Sequence, residues 1–85
     1  MDRFHSLTVF IKVAETGNFA RAARELNISP PAVTRAIAAL EDHMGTRLFV
    51  RTTRSVSLSE SGQRFFEDSK RILHDLEEAE LAAIG

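Results

Sequence analysis

At 85 residues the chain fits one domain with a single modest core, near the size at which a partner begins to matter for stability. It holds no cysteine, which excludes disulfide frameworks, thiolate zinc clusters and a catalytic thiol, and no apolar run nears the roughly 18 residues of a membrane span. The net charge of −1 argues, taken alone, against a nucleic-acid binder, since such domains tend to be basic.

Asp2 is placed to cap a first helix in which Phe4, Leu7, Ile11 and Ala14 keep helical spacing. Val9, Phe10 and Val13 widen its apolar face, so burial on more than one side is expected. Gly17 ends this helix and Asn18 caps the next, leaving a very short connection. In the second helix Phe19, Ala22, Ala23 and Leu26 fall at i, i+3, i+4 and i+7; in the third, Val33, Ile37, Leu40 and Met44 step by four, three and four. Between them lies the turn Asn27-Ile28-Ser29-Pro30-Pro31. Ser29 can cap the third helix, Pro30 stands at its first position where a missing N–H costs nothing, and Ile28 can pack on Val33 as a hydrophobic staple. Residues 18–44 therefore predict a helix-turn-helix, the geometry that presents its second helix to the DNA major groove.

Gly45 closes the third helix, and Leu48-Phe49-Val50 starts a strand-like texture. After the polar stretch Arg51-Thr52-Thr53-Arg54-Ser55, Val56 and Leu58 alternate with Ser55, Ser57 and Ser59. Two short strands around a polar tip make a hairpin over about 47–58, the wing of a winged helix. Ser59 or Ser61 can then cap a last helix. Along it Phe65, Ser69, Ile72, Leu76, Ala79 and Ala83 alternate four and three apart, a heptad-like seam interrupted only by Ser69, with Leu73 beside it. So small a domain cannot bury the whole of this helix. It is expected to project and to pair with a second copy through Phe65, Ile72, Leu73, Leu76, Ala79 and Ala83. The expected fold is mainly α: a winged helix-turn-helix of three helices and a two-stranded wing over 1–59, then a linker and dimerisation helix over 60–85.

Charge is unevenly distributed. Residues 1–65 hold nine Lys and Arg against six Asp and Glu, a surplus of three, whereas residues 66–85 hold two against six, a deficit of four. The acid is concentrated in the last helix, and Arg47, Arg51, Arg54 and Arg64 cluster around one acid, Glu60.

With this order of elements, the wording of the chain resembles the N-terminal DNA-binding domain of LysR-type transcriptional regulators. The matching phrases are Phe10 with Val13-Ala14-Glu15-Thr16-Gly17-Asn18-Phe19, Ala22-Ala23-Arg24-Glu25-Leu26, Ile28-Ser29, Ala32-Val33-Thr34-Arg35, Ile37 with Leu40-Glu41, and Gly45 with Arg47-Leu48-Phe49. They continue through Arg51-Thr52-Thr53-Arg54, Leu58 and Gly62, so the likeness covers the whole chain. Many members carry Gln after the turn serine, whereas this chain has Pro30 and Pro31, like the subgroup with a Ser-Pro helix start and an Arg-Thr-Thr-Arg wing. The resemblance implies sequence-specific binding of double-stranded DNA by a bacterial regulator in the cytoplasm, as a homodimer on an imperfect inverted repeat. It further implies a periplasmic-binding-protein-like effector domain beyond Gly85, with higher oligomers possible in the longer protein.

The stripe of the third helix opposite its core positions is Pro31, Thr34, Arg35 and Ala38. Arg35 can contact guanine O6 and N7 bidentately, Thr34 can bond a base or phosphate, and Pro31 and Ala38 can meet thymine methyls. Pro30 offers apolar contact or none, and Ser29 can cap the helix while presenting its hydroxyl to phosphate. At the wing, Arg54 can enter the minor groove, while Arg51 either contacts DNA or pairs with an acid inside the domain. Arg21, Arg24, Thr52 and Thr53 suit backbone contacts. Enzyme readings fail on inventory: His5, His43 and His74 lie on different helices, no HExxH, Gly-rich phosphate loop or nucleophile elbow exists, and His43 suits a cation at a helix C-terminus. No cofactor or metal is expected. The alternative is a winged-helix protein-interaction module that never touches DNA, which would have no need of Arg35, Arg51 and Arg54.

Overall fold

Helix α1 spans Arg3–Thr16, α2 Phe19–Leu26 and α3 Pro30–Met44; strands β1 (Phe49–Arg51) and β2 (Val56–Leu58) follow, and α4 runs over Glu60–Ile84. These elements come from a computed structural model that describes residues 1–85. Short polar residues start every helix. The side chains of Asp2, Asn18, Ser29 and Ser59 accept hydrogen bonds from the backbone N–H groups of His5, Arg21, Ala32 and Gly62, each satisfying a donor that has no partner inside its helix. The left-handed Gly17 and Gly45 end α1 and α3, and Asn27 ends α2 in the same conformation, φ 58°. Asn is among the few residues other than glycine that adopt it readily.

The core lies between α1, α2, α3 and the base of the wing. Val9, Phe10 and Val13 from α1, Ala22 and Ala23 from α2, Val33 and Ile37 from α3, and Leu48 before β1 are essentially inaccessible. Phe10 stands at the centre of an aromatic cluster, its ring 5.3 Å from Phe49 and 5.1 Å from Phe65, so α1 meets the wing and α4 at one point. The strands pair antiparallel, Phe49 opposite Leu58 and Arg51 opposite Val56.

Two positions depart from the spacing argument. Phe4 and Met44, both expected in the core, are 52% and 38% exposed. They border, with Arg3, Leu7, Leu40, His43, Phe65 and Ile72, an apolar groove where the start of α1, the end of α3 and the first half of α4 diverge. Periodicity finds the apolar side of a helix, but a neighbour must extend far enough to cover both ends of that side. His43 lies in the last turn of α3, as expected, and its Nε2 is 2.9 Å from Arg3 Nη2 of α1.

Leu48 is the junction between α3, the wing and α4. Its N–H donates to Glu41 Oε2 at 2.8 Å, a carboxylate buried on the inner face of α3, and its carbonyl accepts from Ser59 N at 2.9 Å. The Ser59 hydroxyl donates to Arg47 O at 2.7 Å. Gly62, in the first turn of α4, lies directly against the Leu48 carbonyl, and there is no room for a Cβ.

Beyond this junction α4 packs on the core through Phe65, Phe66 and Leu73. Ser69, which interrupts the apolar seam, is fully buried on the same side, and its Oγ has no hydrogen-bond partner. A small residue there lets the helix approach the core closely. From His74 onward α4 is exposed apart from the half-buried Leu76, and the helix projects along the long dimension of a molecule measuring 47 × 26 × 21 Å.

One ion-pair cluster ties α1 to α2. Glu25 accepts from Arg21 Nε at 2.8 Å and faces Lys12 Nζ of α1 at 3.5 Å. The Arg21 hydrogen bond, aided by the charges of Arg21 and Lys12, holds the Glu25 carboxyl below the usual carboxylate range. A depressed folded-state value means that the stabilisation is present above the ordinary carboxylate pKa of about 4.3 and is lost as pH falls through the lower folded value. Glu25→Gln should therefore melt slightly below the parent at neutral pH, and the gap should close on acidification below about pH 4. Thermal melts across that range check this; a gap independent of pH would detach Glu25 from acid stability.

Candidate nucleic-acid interface

Helix α3 has two chemically distinct sides because its apolar residues recur every three or four positions. Val33, Ala36, Ile37 and Leu40 are buried, and Pro30, Pro31, Thr34, Arg35 and Ala38 are exposed on the other side. Pro30 and Pro31 sit in the first turn, where backbone N–H groups need no intrahelical acceptor. The Ser29 hydroxyl accepts from Ala32 N at 3.2 Å, so its capping role is filled from within, and its own proton remains available. Thr34 Oγ1 donates to Pro30 O at 3.3 Å, which leaves its lone pairs outward as acceptors. Arg35 makes no ion pair, hydrogen bond or ring contact within the chain. It borders a shallow groove with Asp2, His5 and Ala39, between α3 and the start of α1.

The wing tip is built by Thr52. Its N–H donates to Ser55 O at 2.9 Å, and its Oγ1 accepts from Ser55 N at 3.1 Å and Arg54 N at 3.3 Å. That hydroxyl, which from sequence suits a backbone contact with DNA, also folds the tip. Thr53 and Arg54 stand exposed on it with no partner for either side chain, and Thr53, Arg54 and Ser55 face Asn18 and Ala20 of α2 across an open cleft. At the other end of the wing, Thr46 and Arg47 share a depression with Ala38 of α3.

Arg51 has no acidic partner. Its guanidinium carbon lies 4.4 Å above the Phe19 ring, at the first position of α2, so the intradomain ion pair considered for it is replaced by a cation–π stack. Arg21 is paired with Glu25, whereas Arg24 is unpaired. The arginines of the cluster around Glu60 are thus not equivalent: Arg64 pairs with Glu60 at 3.3 Å, Arg51 stacks, and Arg54 is free. Sequence reasoning missed Glu41 and Phe19 as supports of the interface. Glu41 was readable as an acid four residues after the buried Ile37, on the same side of the helix.

Comparison with known proteins gives concordant matches. The family described as bacterial regulatory helix-turn-helix protein, lysR family, matches residues 4–63. The HTH-type transcriptional regulator ClcR of Pseudomonas putida is 52% identical over 71 residues, which is 84% of this chain and 24% of ClcR. The chain thus spans about a quarter of the length of the curated relatives it matches. Among solved structures, the CbnR DNA-binding domain in complex with DNA superposes with a TM-score of 0.90 at 40% identity, covering 94% of this chain and 92% of that one. The BenM DNA-binding domain bound to catB site 1 DNA gives a TM-score of 0.92 at 28% identity, covering 94% and 89%.

Proposed function

Because this chain belongs to the lysR family of bacterial helix-turn-helix regulators, we propose that it binds double-stranded DNA sequence-specifically, with α3 in the major groove and the wing tip in the minor groove. It is not an enzyme; its homologues are HTH-type transcriptional regulators. The observation that carries the reading is Arg35: an arginine in the middle of the exposed side of a capped helix, with no partner in its own chain. A protein-interaction module would have no use for it beside an unpaired Arg54. Reading falls to Arg35, Thr34, Pro31 and Ala38, with apolar contact from Pro30 and phosphate contact from Ser29 and Thr53. Arg54 reads groove width.

In this reading the binding unit is a homodimer through α4, and its site is an imperfect inverted repeat, since a two-fold protein is matched by a two-fold site. Phe65 and Leu73 are already engaged with the chain's own core. What remains for a partner is the outer stripe, Ile72 at 44% exposure with Leu76, Ala79 and Ala83. Higher oligomers belong to the longer protein. No helix is long and apolar enough to cross a membrane.

Arg35→Ala tests the reading. It should weaken binding to a duplex selected from a random pool by about 1–3 kcal/mol and relax preference at one base pair per half-site. Equal loss on selected and random duplexes, in titrations at fixed salt, would reduce Arg35 to a phosphate contact.

A further inference from the structure

We propose that Arg51 is a positioning residue for DNA binding, one that anchors the wing to α2 by lying on the Phe19 ring, and that it does not itself contact DNA. The inference rests on the DNA-binding reading above. Strand geometry makes the first part of the case. Side chains alternate across a strand, so Arg51 shares a side with Phe49, which is buried, and not with Val50, which is exposed. Arg51 is itself solvent-exposed, but its side chain lies on the Phe49 side of the strand and reaches the Phe19 ring, at a register position opposite Val56.

What it meets there is an aromatic chain. Its guanidinium lies 4.4 Å from the Phe19 ring centre; Phe19 packs edge-on against Phe49 at 6.2 Å, and Phe49 against Phe10 at 5.3 Å. A planar cation is held on a ring face by the ring quadrupole, and this ring is held by the core. Phe19 is also the first residue of α2, immediately after the capping Asn18. The stack therefore connects the end of β1, one residue before the Thr52 turn, to the first helix of the helix-turn-helix. The two three-residue strands are held to the core at their base by Phe49 and Leu58, so what Arg51 adds is hold at the end nearer the tip. Arg51 supplies a side-chain link, and the free arginine at the tip, Arg54, is aimed by it.

The test separates charge from packing in the 85-residue chain, using a duplex selected from a random pool by the parent. Arg51→Ala should weaken binding about two- to five-fold, the size of an exposed cation–π contact. The slope of log affinity against log salt should remain that of the parent. Arg51→Met keeps a long side chain that can rest on the ring without charge, and should stay within about two-fold of the parent. In the free protein, amide exchange in β1 and β2 should quicken in Arg51→Ala and not in Arg51→Met. If both variants lose affinity equally and the salt slope falls by about 0.9, Arg51 neutralises a phosphate and the proposal is wrong. Should the parent select no duplex at all, the DNA reading fails; amide exchange still decides whether Arg51 holds the wing, and unchanged exchange in Arg51→Ala overturns that as well.

Discussion

Gly62→Ala should cost this domain about 3 kcal/mol or more, beyond the range usual for one added methyl in a packed interior. The added Cβ would collide with the Leu48 carbonyl oxygen and lie 2.9 Å from its carbonyl carbon. Relief by movement of Leu48 is blocked on three sides. Its N–H is held by Glu41 at 2.8 Å, its carbonyl by Ser59 N at 2.9 Å, and its side chain is fully buried. The alternative is for the first turn of α4 to lift, which would pull Phe65 and Phe66 from the aromatic cluster around Phe10. For a chain of 85 residues such a loss corresponds to a fall of more than about 10 °C in thermal midpoint. A midpoint within a few degrees of the parent would mean that α4 can shift freely against the wing.

Leu76→Asp is expected to have the largest effect on binding. It puts a carboxylate in the outer stripe of α4, where the proposed partner helix would have to desolvate it, while leaving the core, which ends on this helix at Leu73, unchanged. The variant should sediment as a folded monomer. Its affinity for a full inverted repeat should fall by about 10²–10⁴-fold, with little change on a half-site, because the tethered second half supplies effective concentration and no new contact. A parent that sediments as a monomer at micromolar concentration, one per duplex on a full site, would remove the dimer from the reading.

Locally determined features were the legible part of this sequence. The caps at Asp2, Asn18 and Ser29 and the endings at Gly17 and Gly45 depend on residues within one turn, whereas the sequence leaves the cap of α4 open between Ser59 and Ser61 and the structure places Ser59 there; the wing followed from strand alternation. Exposure of Phe4 and Met44 was not legible, because it depends on how far α4 reaches across the ends of α1 and α3. Ser69 read as a flaw in an apolar seam and is the most deeply buried residue of α4, a matter of close approach that periodicity does not report. Gly62 carried no signal of its own, since a glycine in a first turn reads only as a weak helix former. The exposed stripe of α3 was legible in full: Val33, Ile37 and Leu40 fixed its opposite side. For Arg51 the signal was present but unused. Once Phe49 is assigned to the core side of the hairpin, alternation puts the exposed Arg51 on that same side, within reach of Phe19.

The Leu48 junction has a mechanical consequence. Leu48 is held at its N–H by Glu41 of α3 and at its carbonyl by Ser59, the residue that caps α4, so a tilt of either helix alone strains one of these two hydrogen bonds. Helix α4 is then an arm linked through Leu48 to the helix proposed to face DNA. Its 25 residues, at about 1.5 Å each, give an arm of about 37 Å. A tilt of about 3° of this arm about the junction corresponds to a displacement of about 2 Å at Ile84. The gearing of such a device lies in Glu41, Leu48, Ser59 and Gly62. Slackening it at Glu41 should leave each half-site readable while uncoupling the spacing of two half-sites from the angle of the arm.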